Sequence, residues 1–285
     1  MSDPTAPVAE TRPLPAPTLG RQVATFLDLI KFAHSVFALP FALIATFWGF
    51  RAVKLSPISA GAVERLGLIL ACMVIARTWA MTFNRLIDRR FDAANPRTAR
   101  RPSVTGAVSR PFMLGTLAAC LVLFAAATAG FWVFFANPWP LLLAAPVLAW
   151  LAAYSFTKRF TALCHFWLGM SLGLAPLSAW IAIAGATDTA RLPVILLLAL
   201  GVTTWVAGFD ILYALQDEQF DRAHRLHSLP AALGRAGALY VSRGCHLLTI
   251  GAFLAVGLAG GFHVLYWIGF GAAALLLLVV QSLVS

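Results

Sequence analysis

The stretch RTWAMTFNRLIDRRFDAANPRTARRPSVTGA (77–107) runs an oily segment into a cluster of acids and bases. Asn84, Asp88 and Asp92 each stand four residues from the last, in a chain holding only 11 acidic residues. A second stretch, DILYALQDEQFDRAHRLHSLPAALG (210–234), repeats the arrangement: Tyr213, Asp217 and Asp221 lie at one constant offset from Asn84, Asp88 and Asp92. Positions i, i+4 and i+8 share a helix face. The spacing therefore predicts two ridges of oxygen ligands, one in each half of the chain, with Asp210 about one turn before the second.

The surroundings of these ridges are apolar. The chain has 285 residues, 60% hydrophobic and 11% charged, with a mean hydropathy of +0.83. A soluble domain carries roughly 25% charged residues, so most of this surface faces something other than water. Apolar runs near the ~20 residues that cross a bilayer fall at about 26–50, 66–87, 111–135, 138–157, 161–184, 192–213, 237–260 and 263–283. They are continuous rather than alternating, and spanning backbone must satisfy its own hydrogen bonds. The expected fold is an all-α, polytopic transmembrane helix bundle of eight spans. Residues 1–25, Pro/Ala-rich and without a cleavable signal, read as a flexible tail, and 26–285 as a single transmembrane domain.

The net charge of +10 is distributed as in a membrane protein rather than a nucleic-acid binder. Arg85, Arg89, Arg90, Arg97, Arg100, Arg101 and Arg110 follow the second run, Lys158 and Arg159 the fourth, and Arg222, Arg225, Arg235 and Arg243 the sixth. Arg51, Lys54, Arg65 and Arg191 fall on the other side. This is the positive-inside pattern. It places the N-terminus and both acidic motifs on the cytoplasmic side of a cell inner (plasma) membrane. Cys72, Cys120, Cys164 and Cys245 lie in the apolar runs at spacings that suggest neither zinc nor a disulfide framework.

Two Asp residues four apart repel each other, and carboxylates at a membrane boundary are costly to desolvate. Salt bridges to Arg89, Arg90 and Arg222 would offset that cost for one motif. They explain poorly why the pattern occurs twice. Carboxylates facing each other across a cavity bind Mg²⁺, which shares its shell with substrate phosphates. Lys158, at i+4 from Tyr154 in YSFTKRF, the adjacent Arg159, and Arg100 and Arg101 after the first motif complete a site for a diphosphate.

These residues resemble the UbiA superfamily of intramembrane prenyltransferases. The family's N-x-x-x-D-x-x-x-D motif reads NRLIDRRFD (84–92) here and its D-x-x-x-D motif reads DEQFD (217–221). DILYALQ is similar to its D-x-x-Y lead-in, YSFTKRF to its Y-x-x-x-K element, and NPRTARRPSVTGAVS to its segment after the first motif. The match covers roughly 26–285. The resemblance implies Mg²⁺-dependent transfer of a polyprenyl group from its diphosphate to a small aromatic acid. It would put Asn84, Asp88, Asp92, Asp217 and Asp221 on the metal, and Lys158, Tyr213 and Tyr154 on the diphosphate or its ligands. Asp210 would organise the second motif or take the ring proton, and Arg159 would receive an acceptor carboxylate. 4-Hydroxybenzoate is the leading acceptor and a dihydroxynaphthoate-type acid the alternative. The family usually has nine spans, so eight leave the closure of the bundle around the lipid tail in question.

Other residues carry weaker expectations. Arg77, one face with Asn84 and deep in its run, is an acceptor contact or a structural ion pair. Lys31 and His34 are interfacial anchors or acceptor contacts. Phe32, Phe37, Phe41 and Trp79 are packing aromatics or the wall of a prenyl groove. His224 and His227 have metal-compatible spacing but no further ligand nearby. No obligate protein partner is evident. Duplicated halves with intramembrane acids also describe cation transporters, although transporter acids sit at mid-membrane in broken helices rather than beside a basic loop.

Overall fold

The computed structural model describes residues 18–29, 38–185 and 189–284. Lys31, Phe32, His34 and Phe37 lie outside the described residues, as does most of the N-terminal segment. The described chain is helical throughout, in the order α1 (Leu19–Leu29), α2 (Leu39–Ala52), α3 (Ala60–Ile87), α4 (Arg89–Ala94), α5 (Pro102–Thr105), α6 (Arg110–Phe135), α7 (Trp139–Thr157), α8 (Cys164–Ala184), α9 (Leu192–Ala214), α10 (Glu218–Ala223), α11 (Leu229–Gly260) and α12 (Val264–Leu283). Among the described residues, seven helices are long and apolar enough to cross a bilayer: α3, α6, α7, α8, α9 continued through α10, α11 and α12. The first expected span differs. Its described residues fall at the end of α1 and in the 14-residue α2, and the boundary drawn at residue 25 falls inside α1, whose Phe26 and Leu29 are buried against Val108 and Met113.

Lipid supplies no hydrophobic drive between helices, so close approach of small residues does the packing. Gly169 and Gly173 of α8 lie against Thr203 and Ala199 of α9; a Cβ on Gly173 would stand 2.2 Å from the Thr203 hydroxyl. Gly201 of α9 receives the ring of Phe253 from α11, and Gly49 of α2 receives Ile183 from α8. The largest buried cluster joins α2, α3, α6, α8 and α9 through Phe50, Ile69, Phe131, Trp180 and Ile195. α12 packs on α11 and buries only Leu277.

The acidic motifs sit at matching breaks. α3 has 28 residues, roughly 42 Å at 1.5 Å per residue, longer than the ~30 Å hydrocarbon layer. It is therefore long enough to carry its last turn, with Asn84, beyond the apolar layer. The helix stops at Asp88 (φ −90°, ψ 3°), and the six-residue α4 follows. α9 passes through a 3-10 turn, Leu215–Asp217, which ends at Asp217 (φ −104°, ψ 3°) before the six-residue α10. Both middle aspartates thus occupy the bridge region between α and β. The unbroken ridges expected from spacing are corrected to two hinged ones, and the duplication extends to the backbone.

Candidate active site

Both hinges open onto one polar cavity of about 200 Å³, which brings together Asn84, Asp88, Asp92, Tyr154, Lys158, Arg159, Asp217 and Asp221. Each aspartate is matched to a base from another element. Arg159 Nη2 donates to Asp88 Oδ1 at 3.1 Å. Arg101 Nη1 donates to Asp92 Oδ1 at 2.6 Å. Arg97 forks onto Asp217, its Nε donating to Oδ1 at 3.0 Å and its Nη2 to Oδ2. Lys158 Nζ stands 2.8 Å from Asp221 Oδ1. The local salt bridges weighed from sequence are not those formed: Arg222 pairs with Glu218 at 2.9 Å.

Arg97 and Asn95 belong to the loop after the first motif yet grip the second, since Asn95 Nδ2 also donates to Asp217 Oδ1 at 3.2 Å. That loop ties the two halves together. Asn95, Arg97, Arg85, Ser155 and Phe220 line the cavity and were not singled out from sequence. The Pro-initiated, Arg-rich segment NPRTARR was the available signal. Asn84 turns its amide nitrogen toward Asp88 Oδ2 at 2.7 Å, while its oxygen accepts from Arg85 at 3.2 Å. In this orientation it positions Asp88.

Burial sets the electrostatics. Asp221 is fully buried and Asp92 nearly so. Burial pushes the Asp88 carboxyl above the usual carboxylate range, while the bond from Arg159 pulls the other way. The carboxylate of Asp217 holds the Arg97 guanidinium above its ordinary value. Asp92 Oδ2 and both Asp221 oxygens are buried without a hydrogen bond, the Lys158 ion pair being close but not aligned as one. Bare, hard oxygen donors on two facing hinges fit a Mg²⁺ ion. Among the described residues no three His, Cys, Asp or Glu side chains converge as a ready metal cage, because each carboxylate is drawn to its own base.

A second, apolar cavity of about 450 Å³ meets the first at Tyr154, which lines both. It follows α7 from Tyr154 to Pro140, roughly 21 Å at 1.5 Å per residue, between α3, α6 and α8. Arg77 lines this cavity. Its Nε is buried without a hydrogen-bond partner, and no ion pair holds it among the described residues.

Two expected site residues lie outside the polar cavity, and a third is engaged differently from its expectation. Tyr213 is 68% exposed and outside the cavity, because the 3-10 turn after Ala214 breaks the i, i+4 register that linked it to Asp217. Asp210 bonds His165 Nδ1 at 2.6 Å and does not line the polar cavity. Arg159, offered to an acceptor carboxylate, is held on Asp88 and on the Ile87 carbonyl. Phe41 stacks on Phe253, and Trp79 donates to the Leu148 carbonyl; neither lines the two cavities.

The model of the UbiA prenyltransferase family matches residues 12–285. The chain belongs to that family. An apo UbiA homolog from Aeropyrum pernix superposes with a TM-score of 0.78 at 33% identity, over 88% of each chain. A UbiA homolog from Archaeoglobus fulgidus, bound to DMAPP and Mg²⁺, gives a TM-score of 0.65 at 21% identity over 91% of this chain and 86% of that one. Among curated relatives, a 4-hydroxybenzoate octaprenyltransferase of Methylobacillus flagellatus is 32% identical over 77% of this chain and 71% of its own. Another from Paraburkholderia phytofirmans is 30% identical over 70% of this chain and 67% of its own. This UbiA-family protein is a multi-pass membrane prenyltransferase.

Proposed function

We propose that the protein transfers a polyprenyl group from its diphosphate to 4-hydroxybenzoate, from a cytoplasm-facing site in a cell inner (plasma) membrane. The observation that carries the reading is the junction at Tyr154 of a polar, doubly acidic cavity with a long apolar one. An allylic diphosphate has the same two parts. Similarity to 4-hydroxybenzoate octaprenyltransferases supports the acceptor.

Asp88, Asp92, Asp217 and Asp221 would hold Mg²⁺. The ion would supply Lewis-acid neutralisation of the leaving diphosphate. Lys158, Arg97, Arg101 and Arg159, now on the carboxylates, line the same cavity and would be the bases available to a bound diphosphate. There they clamp negative charge as it develops. The apolar cavity receives the tail, whose burial is worth ~0.8 kcal/mol per methylene, and keeps water from the reactive end. The unpartnered Arg77 guanidinium receives the acceptor carboxylate. The allylic C–O bond breaks and the diphosphate departs with its electron pair. The ring carbon ortho to the phenol hydroxyl bonds the allylic carbon, and the displaced ring proton leaves to water in the polar cavity.

The test uses purified protein in lipid nanodiscs with prenyl diphosphates of graded length and a panel of aromatic acids, products weighed by mass spectrometry. Expected is a prenylated 4-hydroxybenzoate that disappears with EDTA and returns with Mg²⁺. Prenylation of a dihydroxynaphthoate in its place would reassign the acceptor. No prenylated product with any acid would remove the reading.

A further inference from the structure

We infer that His165, at the start of α8, is a positioning residue that clasps both ends of the segment carrying Asp217 and Asp221. This inference rests on the reading of that segment as one wall of the metal–diphosphate site. His165 is 2% exposed. Its Nδ1 lies 2.6 Å from Asp210 Oδ2 on α9, and its Nε2 accepts from the Leu229 backbone N–H, 3.2 Å away at the start of α11. An amide N–H can only donate, so Nε2 offers its lone pair. Nδ1 therefore carries the proton and donates to Asp210. With both nitrogens committed the ring is not a proton shuttle; it holds one tautomer in one orientation.

Asp210 and Leu229 bracket the hinge at Asp217, all of α10 and the loop behind it. The same connector between α7 and α8 touches the middle of that loop. The Lys158 carbonyl accepts from the His227 N–H at 2.7 Å, and Cys164 Sγ lies 3.5 Å from the His227 carbonyl oxygen. A fully buried Asp221 without a hydrogen bond is costly to hold in place, and the 3-10 turn before it is a weak element. The clasp supplies the restraint that the turn lacks. The loop after the first motif holds both walls at single points, Arg101 on Asp92 and Arg97 with Asn95 on Asp217, whereas the histidine clasp closes only the second segment at its two ends.

The test compares wild type, His165→Ala, His165→Gln and Asp210→Asn in nanodiscs. Two quantities are read: backbone hydrogen exchange, and calorimetric binding of a prenyl thiodiphosphate with Mg²⁺. Groups that bond a metal ligand directly are worth about 10–100-fold in affinity. His165 acts one step further out, through the backbone of the segment, so His165→Ala should weaken thiodiphosphate binding by a few-fold, up to roughly tenfold. It should also speed exchange selectively over residues 215–229 and leave the acceptor KM unchanged. The glutamine amide can donate and accept as the ring does, so His165→Gln should restore most of both losses, and Asp210→Asn should resemble it. Unchanged exchange over 215–229 in His165→Ala overturns the clasp, as does faster exchange spread evenly over the protein. Failure of the wild type to bind thiodiphosphate with Mg²⁺ would instead sink the functional reading, and exchange would still decide the clasp.

Discussion

Lys158 and Asp221 show how one pair sets both stability and chemistry. Asp221 is fully buried and Lys158 about a third exposed. Lys158→Ala leaves a buried carboxylate without its base. The expected loss is about 2–3 kcal/mol, at the low end for a buried pair because the lysine meets solvent. Thermal unfolding without ligand reads it, and diphosphate affinity should fall more than acceptor affinity; an unchanged melting temperature would remove the pair from the account. Asp88→Asn and Asp217→Asn keep size but lose the charge that a metal needs. Each is expected to cut prenyl transfer by roughly 100-fold or more, and near-normal turnover in either would count against the site. Arg77→Gln should raise the KM for carboxylated acceptors and leave neutral phenols untouched, which steady-state kinetics on an acid and its methyl ester can separate.

At the scale of elements, the breaks matter more than the helices. Asp88 and Asp217 sit at bridge-region residues that end long spans, and sequence periodicity carries no signal for such a stop. Tyr213 is placed with Asp217 by assuming a continuous helix, and the 3-10 turn that follows takes Asp217 off the face on which Tyr213 stands. Arg97 reaches Asp217 across the bundle, a contact that no local spacing encodes. Gly234 is a third break. It interrupts α11 at φ 71°, ψ 174°, a conformation essentially confined to glycine, which costs other residues on the order of 1–3 kcal/mol. A Cβ there meets nothing closer than Arg222 Nη2 at 3.7 Å, so the cost of Gly234→Ala is backbone strain alone. A lowered unfolding midpoint is expected, and an unchanged one would show that the backbone relaxes. Gly173 tests packing instead: Gly173→Leu collides with the Thr203 hydroxyl and the Ala199 carbonyl and should separate α8 from α9.

Across the whole molecule, the proposed function rests on two cavities meeting at one residue. If the apolar cavity holds the tail, filling it toward its Pro140 end should discriminate by chain length. Ala144→Phe, at a lining position packed in one cluster with Phe124 and Leu148, is expected to lower turnover of long-chain donors several-fold more than that of a five-carbon donor. Equal losses for both would place the tail elsewhere.

The sequence by itself determined the membrane bundle, the duplication of the acidic motifs and most of the polar cavity's acids and bases. Hydropathy and residue type are local quantities, and an acid in an oily chain has few reasons to exist. Only the tertiary structure decided which base each acid meets, that Tyr213 and Asp210 leave the cavity, and that a buried histidine closes the second motif. Those outcomes follow from backbone breaks and from contacts between helices distant in sequence, where the direction of a side chain is fixed by the packing of its neighbours rather than by its position along the chain.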